Sequence, residues 1–171
     1  MPLTFLVGGA RSGKSALASR LASEWEGPVV FLATAEARDD EELAERIESH
    51  RRERPDGWRT IEEPVDLLGA LGRAPGSAFL LVDCLTLWVA NALEAGWSGD
   101  EVERAASDGA ALARERPSPT VVVSNEVGMG VVPATPLGRS FRDLQGRVNA
   151  VFAENADRAC LVVAGRTLEL T

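Results

Sequence analysis

The sequence predicts an α/β fold in which helices flank a mostly parallel central sheet. Apolar runs of four to six residues, typical of buried strands, alternate along the chain with segments of helical periodicity. This alternation produces βαβ units, whose strands pair in parallel and are covered on both faces. The chain has 171 residues, about the size of one domain, so we expect 1–171 to form a single domain.

The apolar runs locate the predicted strands. They are bounded by glycine, proline or polar residues, and most are too short for a helix. We expect strands at 3–7, 29–33, 78–82, 120–123 and 160–164, with a further short strand possible at 58–62.

Helices are predicted between these strands by apolar residues at three- and four-residue spacing. Helix-starting residues, such as Asp39-Asp40 and Pro64, mark two of the beginnings. The predicted helices carry Leu17, Leu21 and Trp25; Leu43, Ile47 and His50; Val65, Leu68 and Leu71; then 84–95, an outer helix at 100–116, and 136–156 interrupted by Gly138 and Gly146.

A glycine-rich segment joins the first predicted strand to the first predicted helix. It matches the phosphate-loop pattern G-x-x-x-x-G-K-[S/T] with Gly8, Gly9, Ala10, Arg11, Ser12, Gly13, Lys14 and Ser15. Backbone N–H groups and the helix N-terminus would hold nucleotide phosphates, Lys14 would reach the β- and γ-phosphates, and Ser15 would ligate Mg²⁺. A glycine turn with an incidental lysine is the alternative, but the strand–loop–helix context favours a P-loop NTPase of the RecA-like type.

Asp83 follows the apolar run that ends at Val82. Ligands of open α/β sheets bind at the carboxyl ends of the strands, so Asp83 is a candidate second ligand for Mg²⁺; a helix N-cap is the alternative. The guanine-reading string N-K-x-D is absent, which disfavours a signalling GTPase.

His50 is the only histidine, and it lies in a locally basic stretch. An imidazole with a reference pKa of about 6.5 is a good nucleophile near neutral pH. The alternative is a solvated helix end, where His and Arg interact favourably with the helix dipole. The residues alone leave both interpretations open.

Composition excludes several other classes of protein. The formal net charge of −8 argues against a nucleic-acid-binding surface. Cys84 and Cys160 are expected to be buried thiols rather than a disulfide or metal site. No apolar stretch approaches the roughly 20 residues that span a bilayer, and the first strand leads directly into the glycine loop rather than a signal peptide, so a cytoplasmic location is expected.

Several motifs together resemble the bifunctional adenosylcobinamide kinase/adenosylcobinamide-phosphate guanylyltransferase family of cobalamin biosynthesis. The resemblance covers nearly the whole chain, and the asparagine–glutamate segment is more specific than the phosphate loop. The matching segments are GGARSGKS at 8–15, RI at 46–47 with His50 and RP at 54–55, WRT at 58–60, VDCLT at 82–86, SNEVGMG at 124–130 with VP at 132–133, FRD at 141–143 and GRVN at 146–149.

The resemblance implies two reactions and a set of site residues. ATP or GTP phosphorylates the hydroxyl of the aminopropanol arm of adenosylcobinamide; GMP is then transferred from GTP, through a guanylylated histidine, to the phosphate just formed. By motif position that histidine is His50. The further nucleotide contacts that the resemblance implies are Thr34, Ala35, Glu36, Arg51, Arg52, Glu53, Arg54, Glu62 and Asp83.

The same resemblance leaves some features open. The family commonly has a glutamate at the position of Asp83, but the shorter carboxylate can still bind Mg²⁺. A homotrimer is implied. The candidates for corrinoid binding or subunit contact, with surface capping as the alternative, are Asn125, Glu126, Arg139, Arg142 and Asp143. The competing hypotheses are a P-loop kinase of another small metabolite without guanylyl transfer, and a nucleotide-dependent regulator with negligible turnover.

Overall fold

A computed structural model describes residues 3–36, 41–52 and 54–171. Its strands form one seven-stranded sheet in the order β3-β2-β4-β5-β1-β6-β7. Every neighbouring pair is parallel except β6 and β7, which form an antiparallel hairpin. The strands are β1 Leu3–Gly8, β2 Val29–Ala33, β3 Arg59–Glu62, β4 Phe79–Asp83, β5 Thr120–Asn125, β6 Arg158–Val163 and β7 Arg166–Leu170.

Helices cover both faces of this sheet. One buried cluster joins sheet residues such as Leu6 and Leu81 to Ala18 and Ala22 of the first helix. A larger cluster on the other face includes the fully buried Trp88 and residues of four helices. The described helices are α1 Lys14–Ser23, α2 Glu41–Arg52, α3 Leu67–Arg73, α4 Leu85–Glu94, α5 Gly99–Glu115 and α6 Pro136–Asn155.

The predicted fold class is confirmed, and each strand predicted from the sequence is present. Strand β7 was not predicted. All of its residues are exposed, so it lacks the buried apolar run by which the other strands were recognised. No helix among the described residues is long and apolar enough to cross a bilayer. The single-domain organisation of 1–171 stays a prediction.

Three details of the predicted helices are wrong. Gly138 and Gly146 do not interrupt α6, because its buried face, including Val148 and Phe152, packs along the sheet and offsets the cost of glycine. Helix α1 ends at Ser23, before Trp25. Helix α3 begins after Asp66 rather than at Pro64, since the Asp66 carboxylate accepts a hydrogen bond from the Gly69 N–H at 2.9 Å.

Helix α5 lies on the outside of the protein, as predicted, but one of its faces is buried. Its hydrophobic face is buried through Val102, Ala106 and Ala110, while the opposite face is exposed. Small alanines allow close packing against α3 and α6. A capping box starts the helix, with the Ser98 side chain accepting from the Glu101 N–H and Glu101 accepting from the Ser98 N–H. The expected cap at Asp39-Asp40 of α2 lies outside the described residues.

Arg116 fixes the chain after α5 to the loop before β4. Its guanidinium is buried and donates to the carbonyl oxygens of Ala74, Pro75 and Ala78 at 3.0, 2.9 and 2.8 Å. Burial lowers the pKa of this guanidinium from its usual value. The carbonyls therefore compensate a desolvated cation that carries no carboxylate partner among the described residues.

Replacing Arg116 with alanine is expected to destabilise the protein by about 3 kcal/mol, because three carbonyls, two of them in buried hydrogen bonds, would lose a charged donor. The measurement is urea unfolding followed by circular dichroism. Arg114→Ala, an exposed site on the last turn of α5, is the matched control and should change stability by less than about 0.5 kcal/mol. Equal stability of the two variants would contradict this role for Arg116.

Candidate active site

A cavity of about 440 Å³ opens at the carboxyl edge of the sheet. Its walls come from the segment after β1, the ends of β2, β4 and β5, and one side of α2. The carboxyl edge is where open parallel sheets bind ligands, because loops and helix N-termini converge there. The cavity therefore lies where the sequence predicted the nucleotide site.

Residues 10–15 of the phosphate loop line this cavity, whereas Gly8 and Gly9 are not among its lining residues. At two glycines of the loop a side chain would be strained or would clash. Gly13 has φ of 99°, which is strained for any residue with a side chain. A Cβ on Gly8 would stand 2.3 Å from the carbonyl oxygen of Val162. The turn after β6 supports the loop from outside, since the Gly165 N–H donates to the Ser12 carbonyl at 2.8 Å.

Lys14 lies at the start of α1 with its ammonium group folded onto the loop. Its Nζ donates to the carbonyl oxygens of Gly8 at 2.9 Å and Gly9 at 2.7 Å. Burial lowers the pKa of Lys14, while the nearby Cys84 and Asp83 act in the opposite direction. The ammonium is therefore held at the cavity in a fixed position, with little reorganisation needed to meet a phosphate.

Asp83 and Ser15 both line the cavity, as the metal prediction requires. Behind Asp83, the Thr34 hydroxyl donates to the Cys84 carbonyl at 2.6 Å and accepts from the Cys84 N–H at 2.9 Å. Thr34 is fully buried, so its side chain fixes the ends of β2 and β4 rather than facing the cavity. Ala35 lines the cavity, whereas Glu36 is exposed and does not.

Cys84 and Cys160 are both free and buried, as predicted. Cys84 reaches the cavity wall, but burial, followed by the neighbouring Asp83, raises the pKa of its thiol to about 12. A thiol with this pKa is protonated at neutral pH and is a poor nucleophile. Its role at the site is therefore to fill space.

The opposite wall is formed by Ile47 of α2, Arg54 and Glu62. The Arg54 guanidinium lies over the Phe31 ring, with its carbon 3.8 Å from the ring centroid, and its Nε is buried without a hydrogen-bond partner in the described part of the chain. Burial, and then repulsion by Arg51, lowers the pKa of Arg54. A half-buried cation at the wall of the cavity is suited to binding an anion.

Comparison with known proteins identifies the family. Residues 4–170 match the family model described as cobinamide kinase / cobinamide phosphate guanyltransferase. The chain belongs to this family.

Curated relatives agree over nearly their full lengths. The bifunctional adenosylcobalamin biosynthesis protein CobP of Pseudomonas aeruginosa is 43% identical over 169 residues, covering 96% of this chain and 95% of the relative. The proteins of the same description named CobU in Salmonella typhimurium and Escherichia coli are 41% and 39% identical over 177 residues, each covering 95% of this chain and 96% of the relative. The resemblance inferred from the motifs is thereby confirmed, and a kinase and guanyltransferase family implies nucleoside triphosphate substrates.

The histidine segment of this cobinamide kinase and guanyltransferase family member is only partly described. His50 lies in the last turn of α2, one turn beyond Ile47, but its side chain is outside what the structure describes. Glu53 also lies outside the described residues. Arg51 pairs with Glu62, with its Nε 3.0 Å from Glu62 Oε1, and Arg52 instead points to Glu48 at 3.6 Å and is largely exposed.

The candidates near the end of β5 separate into two groups. Asn125 lines the cavity, which the motif comparison did not suggest. Its position after a strand is the same signal that identified Asp83. The other candidates, Glu126, Arg139, Arg142 and Asp143, do not line the cavity; Arg139 bonds to the Pro133 and Ala134 carbonyls, and Arg142 pairs with Asp143.

Proposed function

We propose that the protein phosphorylates adenosylcobinamide and then transfers GMP from GTP to adenosylcobinamide phosphate through a guanylylated His50. The observation that carries the proposal is the composition of one cavity. The phosphate loop and Asp83 form one side of it, and Ile47, Arg54 and Glu62 form another; Ile47 belongs to α2, the helix that carries His50. The family and its relatives supply the substrate class.

In the first reaction, the substrate hydroxyl attacks the γ-phosphorus of ATP or GTP, and the bond to the β-phosphate oxygen breaks. Phosphoryl transfer depends on positioning and on stabilising charge over the transferring group. The loop N–H groups would bind the phosphates, and Lys14, held by the loop carbonyls, would reach the β- and γ-oxygens.

The residues present fit a bound Mg²⁺. Ser15 and Asp83 both line the cavity, and no group of three His, Cys, Asp or Glu suited to a metal occurs within the described ranges. Mg²⁺ typically uses one or two protein ligands and completes its shell with phosphate oxygens and water, so this sparse donor set is appropriate. The ion would neutralise charge on the phosphate oxygens.

In the second reaction, an imidazole nitrogen of His50 attacks the α-phosphorus of GTP, forming a P–N bond and releasing pyrophosphate. An oxygen of the corrinoid phosphate then attacks the same phosphorus, breaks the P–N bond and yields adenosylcobinamide-GDP. The covalent intermediate divides the transfer into two displacements. Arg54, which lines the cavity wall, would help to neutralise the phosphates during these steps.

A product assay tests the proposed function. The protein is incubated with adenosylcobinamide and ATP, GTP is added, and the corrinoids are separated by chromatography and weighed by mass spectrometry. The proposal predicts adenosylcobinamide phosphate first and adenosylcobinamide-GDP after GTP. Phosphate without the GDP product would indicate the kinase alone; no corrinoid product would leave only a nucleotide-binding regulator.

We propose in addition that the protein works in the cytoplasm as a homotrimer, as the family resemblance implies. Exposed apolar side chains support a subunit contact: Met129, Val131, Val132 and Leu137 are 79%, 94%, 62% and 73% exposed. These residues lie close together in sequence between β5 and the start of α6. An exposed apolar surface of this kind is typical of an interaction site.

A further inference from the structure

Asn125 occupies a central position at the carboxyl edge of the sheet. It is the last residue of β5, which lies between β1 and β4, and it is in register with Gly8 of the phosphate loop. The next residue, Glu126, donates its N–H to the Gly8 carbonyl at 2.9 Å. Asn125 therefore lies between the phosphate loop and Asp83, and it lines the cavity that both share.

The backbone of Asn125 is held at both polar groups by buried side chains. Its N–H donates to the Thr86 hydroxyl at 2.8 Å, and its carbonyl accepts from Asn149 Nδ2 at 3.0 Å. Its side-chain amide, in contrast, forms no hydrogen bond with any group that the structure describes. The side-chain amide is therefore attached to a backbone that is held in place, and its own hydrogen-bonding groups remain available at the cavity.

A second layer of polar groups fixes Asn149. Ser124 donates its hydroxyl to Asn149 Oδ1 at 2.6 Å, and Gln145 Nε2 donates to Asn149 Oδ1 at 2.9 Å and to Ser124 Oγ at 3.0 Å. Ser124 and Gln145 are both fully buried. Thr86, Ser124, Gln145 and Asn149 are called the Asn125 network below.

The Asn125 network stabilises the fold less than apolar side chains in the same positions would. The Gln145 Oε1 atom is buried and has no hydrogen-bond partner among the described residues. An unsatisfied buried acceptor lowers stability, and apolar side chains would fill the same space without this cost. The polar groups, unlike apolar ones, orient the end of β5 at the cavity through hydrogen bonds to the Asn125 backbone.

We propose that Asn125 is a further catalytic residue, whose side-chain N–H donates to the γ-phosphoryl group of the bound nucleotide, and that the Asn125 network positions it. A neutral donor at this place would bind the group that transfers and stabilise the charge on its oxygens. Gln145 acts through Asn149 and Ser124 and is a positioning residue. The inference rests on the proposed function for the phosphoryl-transfer step, but its contact with the γ-phosphate is a property of nucleotide binding alone.

The binding test compares β,γ-imido-ATP with ADP by isothermal titration calorimetry in the presence of Mg²⁺. Asn125→Ala is expected to weaken binding of the triphosphate analogue about tenfold while changing ADP binding less than twofold. Asn125→Asp, which keeps the shape but removes the donor, should weaken the triphosphate at least as much because its charge repels phosphate. Asn155→Ala, which removes a remote asparagine at the end of α6, is the control and should leave both constants unchanged.

The catalytic test measures phosphorylation of adenosylcobinamide. Asn125→Ala is expected to lower kcat about 100-fold, in the range found for removal of one donor to a transition-state oxyanion. Gln145→Leu should lower kcat about tenfold with KM for the corrinoid unchanged. In the double variant, Gln145→Leu should cause no further loss of kcat beyond that of Asn125→Ala, because the donor that Gln145 positions is already absent.

Three results would overturn the inference: equal loss of triphosphate and ADP binding in folded Asn125→Ala, phosphorylation by Asn125→Ala within twofold of wild type, or additive effects of Asn125→Ala and Gln145→Leu. Failure of the proposed function is a different result. There the wild-type protein would form no adenosylcobinamide phosphate, while the comparison of β,γ-imido-ATP with ADP would still decide whether Asn125 contacts the γ-phosphate.

Discussion

Lys14→Ala is expected to lower kcat/KM for phosphorylation of adenosylcobinamide at least about 1000-fold. The ammonium group is held at the cavity by the Gly8 and Gly9 carbonyls, so the wild-type protein presents a fixed charge to the phosphates. Alanine removes that charge and leaves the two carbonyls pointing toward the nucleotide. Steady-state kinetics with a chromatographic product assay measures the loss.

The matched control for Lys14→Ala is Arg20→Ala. Arg20 is a basic residue of the same helix, exposed to solvent in its last turn. Removing it changes the net charge equally but takes nothing from the cavity, so activity should stay within twofold of wild type. Near-normal turnover by Lys14→Ala would show that the phosphate loop does not serve this reaction.

His50→Ala is expected to abolish formation of adenosylcobinamide-GDP, with a loss of at least about 10,000-fold, because no other side chain would form the covalent intermediate. Phosphorylation of adenosylcobinamide should persist within a few-fold, since the phosphate loop and Asp83 are unchanged. The two products are measured in the same reaction by mass spectrometry. The proposal specifically predicts that this variant loses guanylyl transfer and keeps the kinase activity.

Glu45→Ala provides the control for the histidine variant. Glu45 is an exposed residue of α2, so its replacement tests whether any change in that helix is sufficient to impair transfer. Both activities should remain within about twofold of wild type. If His50→Ala still produced the GDP compound at a comparable rate, a direct transfer without a histidine intermediate would replace the proposed mechanism.

Much of the fold was predictable because most of the sheet is buried on both faces. The strands 29–33 and 78–82 have continuous apolar sequences, which the structure confirms as β2 and β4. Strand β7 gave no such signal, because it lies exposed at the edge and pairs only with β6. Gly146 was misread because local propensity says nothing of the tertiary contacts that keep α6 continuous.

The site was predictable where one short segment holds the chemistry. The phosphate loop carries its own backbone geometry, and Asp83 follows its strand directly. The position of Arg54 over Phe31, by contrast, joins residues far apart in sequence, and the hydrogen bonds that hold Asn125 come from two different helices. Side-chain contacts of this kind depend on packing, which sequence periodicity does not specify. The roles of the site residues as nucleotide contacts stay predictions.

The measurement that tests the account most directly is the location of GMP on the protein after incubation with GTP labelled at the α-phosphate. The linkage should be acid-labile and base-stable, as a phosphoramidate is, and tandem mass spectrometry of peptides prepared at alkaline pH should place the GMP on His50. Addition of adenosylcobinamide phosphate should discharge it into adenosylcobinamide-GDP. A protein that forms this product without ever carrying GMP, or that carries it on another residue, would contradict the central claim.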